Sequence, residues 1–304
     1  MDIACNIDNN YIRFCSVMLV SLFENNRDQS FDIHIVSQDL SEDGQQTLKD
    51  IVCKQYGQRI HFYFVGPDLL NNFPIDTNSH ISISTYLRLF LSSILPASLS
   101  KVLYLDCDII IRSSIAGLWN IDLTKYAIGC VEDMWSDIDN NYSRLGYSKE
   151  FLYFNAGVML VNLDFWRRNH LEEEFVRYVR NNPEKLLFND QDVLNGVLYD
   201  KKLFIPFTWN MQDGFFRRRR RIRKETWDAL DKELFDPAIL HFTGGKKPWD
   251  YKCMNPHKSE FYVYQNLTQW KDCRPKRNYC FLFLRSLQKL AIFLGIKKRK
   301  FRKF

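Results

Sequence analysis

The chain has 304 residues, 46% of them hydrophobic, which is enough for one large or two ordinary domains around a substantial core. Its net charge of +6 is unevenly placed: residues 274–304 carry eleven Lys or Arg and no acid, and taking those eleven away leaves −5 on the rest. No apolar run reaches the ~18 residues of a membrane-spanning helix, since the nearest, Phe281 to Ile296, is interrupted by Arg285 and Lys289, so no membrane-crossing helix is expected.

From the amino terminus, Met1 to Asp8 is acidic and polar and reads as a strand over Asp2 to Ile7 rather than a signal peptide, which predicts a cytoplasmic protein. Ile12 to Phe23 reads as a helix with Phe14, Val17, Met18 and Leu22 on one side. Phe31, Ile33 and Ile35 alternate with polar residues as a second strand, a helix follows from about Ser41 to Tyr56 with Gly57 as its stop, and Ile60 to Val65 is a third strand. A helix near Ser84 to Ile94, closed by Pro96, leads into a strand at Val102 to Leu105. Such alternation predicts a parallel sheet wound on both faces, with ligands bound beyond the carboxyl ends of its strands, at the turns after Ile7 and Leu105.

Beyond Asp108 the order is less regular. Ala127 to Val131 and Gly157 to Val161 read as strands and Leu163 to Arg180 as one charged amphipathic helix, which predicts mixed strand directions within one extended sheet. No internal repeat and no Gly-, Ser- or Pro-rich linker separates two units. Arg217 to Lys224 is a basic run, and Cys280, Phe283, Leu284, Leu287, Ala291 and Leu294 recur at helical spacing before Lys297 to Lys300. We therefore expect a catalytic domain over 1–255 and a helical, basic segment over 256–304 that lies on an anionic membrane surface or else docks its last helix on the core with a solvated end. The eight cysteines lack metal-ligand spacing, and a reduced state is expected for them.

Three Asp-x-Asp pairs occur among twenty-five Asp, where chance alone gives about two, so context decides between them. Asp137 and Asp139 lie in a polar stretch and read as a solvated loop. Asp106 and Asp108 follow Val-Leu-Tyr-Leu and precede Ile-Ile-Ile, where unpaired acids are costly to desolvate. One residue apart on an extended backbone they point the same way, as two carboxylates addressing one divalent cation do.

Six motifs in order carry a resemblance to the family 8 glycosyltransferases, a retaining group that includes bacterial lipopolysaccharide galactosyl- and glucosyltransferases and glycogenin. They are Asp8-Asn9-Asn10-Tyr11, Ser84-Thr85-Tyr86-Leu87-Arg88-Leu89, Leu103-Tyr104-Leu105-Asp106-Cys107-Asp108, Tyr153-Phe154-Asn155-Ala156-Gly157-Val158, Asn189-Asp190-Gln191-Asp192 and His241-Phe242-Thr243-Gly244-Gly245-Lys246-Lys247-Pro248-Trp249. The resemblance spans Met1 to about Trp249 and implies an α/β fold: a single nucleotide-diphospho-sugar transferase (type A) domain with a mixed, mainly parallel central sheet flanked by helices. It implies a UDP-sugar donor, transfer of galactose or glucose to a saccharide acceptor such as a lipopolysaccharide core or another lipid-linked glycan, and an α-linked product. His241 is then the third metal ligand beside Asp106 and Asp108, and one imidazole among oxygen ligands suits Mn²⁺ better than the alternative, Mg²⁺.

The same resemblance gives the remaining roles. Tyr11 stacks on uracil, with Asp8 and Asn10 at the ring edge and ribose; the commoner pattern has a second acid where Asn9 stands and a small residue where Asn6 stands. Lys247 reaches the diphosphate beside Gly244, and Arg88 contacts the donor sugar and pairs with Asp106. Asn155 and Asp190 hold sugar hydroxyls, Gln191 sits near the anomeric carbon, and Asp133 is an acceptor-side acid. An amide is a weak nucleophile, so same-face attack by the acceptor hydroxyl is favoured over a double displacement. Two rival classes fit less well. A haloacid-dehalogenase-like phosphohydrolase expects its Asp-x-Asp near the start of the fold, and a nucleic-acid-binding protein expects basic residues without the Leu and Ile that accompany them here.

Overall fold

A computed structural model describes residues 1–66, 69, 83–136, 139–218, 221–275 and 279–302. Asp137, positions 219 and 220 of the basic run, and tail residues 276–278, 303 and 304 lie outside them.

The apolar runs of the first half build strands and helices in turn: β1 (Asp2–Asn6), α1 (Ile12–Glu24), β2 (Asp32–Ser37), α2 (Glu42–Lys49), β3 (Arg59–Phe64), α3 (Leu91–Ile94) and β4 (Lys101–Leu105). The chain continues through β5 (Ile109–Ile111), α4 (Ala116–Trp119), β6 (Ile128–Glu132), α5 (Asp139–Leu145), β7 (Phe154–Asn162), α6 (Leu163–Arg168), α7 (Leu171–Asn181), α8 (Asp190–Leu198), β8 (Lys202–Phe204), β9 (Met211–Gln212), α9 (Trp227–Glu233), β10 (Ile239–His241), α10 (Lys258–Gln265) and α11 (Tyr279–Phe293).

Seven strands form the central sheet in the order β3-β2-β1-β4-β7-β6-β8. All neighbours are parallel except β7, which runs against both β4 and β6. The period of two is visible in the packing. Ile3, Cys5, Ile33, Ile35, Leu103, Leu105, Val158 and Leu160 face one core layer, under α1, while Ala4, Val36, Val102, Tyr104, Met159 and Val161 face the other, under α6 to α8. The expected single sheet is corrected by a second one of three strands, β5-β10-β9, with β5 antiparallel and β9 parallel to β10. The chain leaves the large sheet after Leu105 and enters the small one at Ile109.

Three expected helices differ in detail. The segment 41–56 starts on a Ser41 cap, whose Oγ accepts from Gly44 N at 3.2 Å, and widens into a π-turn over Asp50–Gln55. The segment 84–94 is a 3-10 turn over Ile83–Phe90 followed by α3, and it carries Tyr86, Leu87, Leu89 and Phe90 into the core. The segment 163–180 is two helices, because His170 adopts φ 51°, a left-handed conformation that ends one and caps the next.

α10 packs on α1: Phe14 stacks on Trp249 and touches Phe261, and Arg13 Nε donates to Gln265 Oε1 at 3.1 Å. Of the stripe expected from helical spacing, Phe283, Leu284 and Leu287 on α11 and Leu294 just beyond it are exposed, together with Phe293 at 85%. No described helix is long and apolar enough to cross a membrane.

Candidate active site

A cleft of about 590 Å³ opens where β1 and β4 end and β7 begins, and extends over the end of β10. It is lined by Asp8, Asn10, Tyr11, Arg88, Asp106, Asp108, Asp133, Asn155, Asp190, Gln191, His241 and Lys247, so twelve of the thirteen residues expected at the site converge on one hollow. The thirteenth, Gly244, lies in the turn beside it, where its N–H donates to Asp213 Oδ2 at 3.1 Å and a β-carbon would collide with that carboxylate.

The paired aspartates sit differently from the expectation of an extended backbone. Asp106 to Asp108 form the bend between β4 and β5, where the chain changes sheets and Cys107 turns inward. They still converge with His241, and the three ligand atoms lie within 4.8 Å of one another. His241 Nε2 stands 3.2 Å from Asp108 Oδ1 and 3.8 Å from Asp106 Oδ2. Its Nδ1 donates to Asn210 Oδ1 at 2.9 Å, and Asn210 Nδ2 donates in turn to Asn155 Oδ1 at 2.9 Å. That relay orients the ring so that Nε2 faces the two carboxylates, a donor set suited to a divalent cation. Gly157 leaves the space for it, since a β-carbon there would strike the His241 ring and lie 2.7 Å from Asp106 Oδ2.

Each aspartate also has its own cation. Lys247 Nζ donates to Asp108 Oδ2 at 2.5 Å and to Phe242 O at 2.7 Å. Burial would raise the Asp108 carboxyl, but Lys247 and His241 hold it far below the ordinary range. Arg88 bridges Asp106 Oδ1 and Asp190 Oδ2, both at 3.0 Å, donates to Ala156 O, and lies 4.5 Å from the Tyr104 ring centroid. Burial pushes Asp190 up to about 6, with Arg88 opposing and Asp106 adding to the rise.

Across the cleft, Gln191 Oε1 accepts from Asn155 Nδ2 at 3.2 Å and from Ala156 N at 3.0 Å. Asp133 Oδ2 accepts from Asn155 Nδ2 at 3.1 Å and from Gln191 Nε2 at 3.4 Å, and its Oδ1 accepts from Trp135 N. Burial raises the Asp133 carboxyl. Asp8 caps the turn that carries Tyr11, accepting from Asn10 N at 2.8 Å, and Tyr11 is 41% exposed with its ring edge against Phe14. Asn9 ties the turn to the next loop, accepting from Ser41 N at 2.9 Å.

Sequence reasoning did not single out Asn210, Gly157 or Trp135. Asn210 lies 31 residues from the histidine it orients, with no local pattern to mark it. Gly157 stood inside a motif without its steric role, and Trp135 lies two residues after Asp133 on the cleft wall.

The model of glycosyl transferase family 8 matches residues 2–253. A lipopolysaccharide 1,2-glucosyltransferase of Escherichia coli K12 is 28% identical over 281 residues, 91% of this chain and 80% of its own. General stress protein A of Bacillus subtilis is 26% identical over 279 residues, 89% of this chain and 94% of its own. Among solved structures, the galactosyltransferase LgtC in complex with donor and acceptor sugar analogues gives a TM-score of 0.81 at 27% identity, covering 90% of this chain and 99% of that one. An active-site mutant of LgtC with glutamine changed to glutamate gives 0.80 at 27% identity, covering 88% and 96%.

Proposed function

The chain belongs to glycosyltransferase family 8 and is a nucleotide-sugar-dependent glycosyltransferase; from that premise we propose that it moves galactose or glucose from a UDP-sugar to the saccharide of a lipid-linked glycan, with retention. The observation that carries this is the convergence of Asp106, Asp108 and His241 beside Lys247, in a cleft that Asn155, Gln191 and Asp133 also line. The triad suits Mn²⁺, which bound there supplies positive charge against a diphosphate.

Tyr11 offers its face to the uracil, with Asp8 and Asn10 beside it. When the diphosphate enters, Lys247 turns from Asp108 to the phosphate oxygens and stabilises the charge that develops on the leaving group. Arg88, clamped between Asp106 and Asp190, sets the Asp190 carboxylate toward the sugar hydroxyls. The Gln191 oxygen already accepts two hydrogen bonds, which lowers its reach as a nucleophile and favours same-face attack. The acceptor hydroxyl then enters beside departing UDP, a phosphate oxygen takes its proton, and the protein's work is positioning. The lipopolysaccharide transferase relatives and the exposed stripe of α11, flanked by Lys289 and Lys297 to Lys300, favour an acceptor met at the inner face of the membrane.

The test is UDP release from a panel of UDP-sugars with and without Mn²⁺, for the wild type and Asp108→Ala. We expect one UDP-hexose to be turned over and activity to vanish on chelation or substitution; activity indifferent to both overturns the reading. For the membrane part, deletion of residues 274–304 should abolish binding to anionic liposomes, and binding that survives the deletion refutes it.

A further inference from the structure

The basic run and the end of the chain meet beside the cleft. Phe301 pairs with Arg217 as an antiparallel bridge, Arg218 N donates to Lys300 O at 3.1 Å, and Arg302 N donates to Phe216 O at 2.9 Å. Arg302 is neutralised by Asp231 at 2.8 Å. Arg217 and Arg221 are not. Both guanidinium groups lie over the indole of Trp135, at 5.4 and 4.6 Å from its centroid, and among the described residues neither has a carboxylate within ion-pair distance. The Nε of Arg217 is buried with no hydrogen-bond partner.

Two like charges held against one ring without a counter-charge repel each other, and the buried Arg217 N–H without an acceptor adds a cost of its own. An anion against the guanidinium groups relieves the repulsion. Trp135 itself lines the cleft, its backbone N–H donating to Asp133 Oδ1. A saccharide that reaches Trp135 in the cleft is therefore brought toward the guanidinium groups stacked on that ring, and guanidinium groups suit phosphate and carboxylate oxygens.

We propose that Trp135, Arg217 and Arg221 form an acceptor subsite that recognises a phosphate or carboxylate carried by the acceptor saccharide. The proposal rests on the transferase reading above and narrows its acceptor to an anionic glycan. The bridge from Phe301 holds Arg217 in register, so the end of the tail belongs to this subsite as its support.

The experiment uses the full chain saturated with UDP and Mn²⁺, so that added phosphate does not enter the diphosphate position. Binding of glucose 6-phosphate is compared with that of glucose by calorimetry, and both are repeated with Arg217→Gln/Arg221→Gln and with Arg217→Lys/Arg221→Lys. We expect glucose 6-phosphate to bind the wild type at least about tenfold more tightly than glucose, the Gln variant to lose that ratio, and the charge-keeping Lys variant to retain part of it. A wild-type ratio near one, or a ratio unchanged in the Gln variant, overturns the proposal. The source of the anion is separated with vesicles of anionic lipid: a Gln variant that loses vesicle binding but keeps the sugar-phosphate ratio assigns the charges to lipid and also overturns it. Failure of the transferase reading is distinguishable, because it shows as no UDP release from any UDP-sugar and leaves these binding ratios as they are.

Discussion

Gly157→Ala isolates the steric demand of the metal triad from its chemistry. No ligand is removed, and Gly157 does not take the left-handed backbone that only glycine tolerates, so β7 can accept the methyl group. The added carbon nevertheless meets the His241 ring and approaches Asp106 Oδ2 to 2.7 Å, so one of the two must withdraw from the position in which both face a shared cation. Overpacking of this kind costs about 1–3 kcal/mol, and if the cost falls on metal binding it corresponds to a loss of about five- to 150-fold in affinity. Titration of Mn²⁺ into the protein by calorimetry, with UDP release measured in parallel at saturating metal, reads both quantities. Far-ultraviolet circular dichroism should be unchanged. A dissociation constant within twofold of the wild type, in a folded variant, would falsify the steric argument and with it the placement of the cation between Asp106 and His241.

Other consequences follow from the buried charges. Asp190 is raised to about 6, so the folded chain holds that proton more tightly than the unfolded one. Its contribution to stability is full below about pH 4 and is lost as pH rises through about 6; Asp190→Asn should therefore gain roughly 2 kcal/mol relative to wild type between pH 4.5 and 7.5 in urea titrations, and a pH-independent difference would contradict this. Arg88→Met leaves Asp106 and Asp190 facing each other without their shared cation and should destabilise by about 3–5 kcal/mol; a loss under about 1 kcal/mol would show that water screens the pair. Gln191→Ala should lower turnover by about 10- to 100-fold through lost positioning, without a covalent sugar adduct by intact mass. Complete loss of turnover together with a trappable glycosyl adduct on a neighbouring acid would refute same-face attack.

The local devices of this protein were legible, and those that join distant segments were not. Asp106 and Asp108 could be picked from three similar pairs because they interrupt an apolar run, and β1 to β4 follow the alternation of Ile3, Ile33 and Leu103. His241 and Lys247 came from the family resemblance and not from local spacing. The small sheet escaped notice because Ile109–Ile111 and Ile239–His241 are too short to show a period and pair across the chain. The break at His170 has neither Gly nor Pro to announce it. The bridge between Arg217 and Phe301 depends on where the tail arrives, which no pattern within either segment encodes.

The reversed strand β7 divides the labour of the site. Because it runs against its neighbours, it delivers its first residues to the rim where β1 and β4 deliver their last. Three consecutive residues then serve two masters: Gly157 makes room for the metal ligands, while Asn155 and Ala156 hold Gln191. If Asp133 is on the acceptor side, as proposed, changes in the loops that feed β7 from Asp133 onward reshape what is recognised as acceptor while Asp106, Asp108 and His241 stay in place. For protein engineering on that reading, 133–153 is the stretch to diversify when a new glycan is wanted, with 155–157 kept fixed as the seam between the two halves of the cleft.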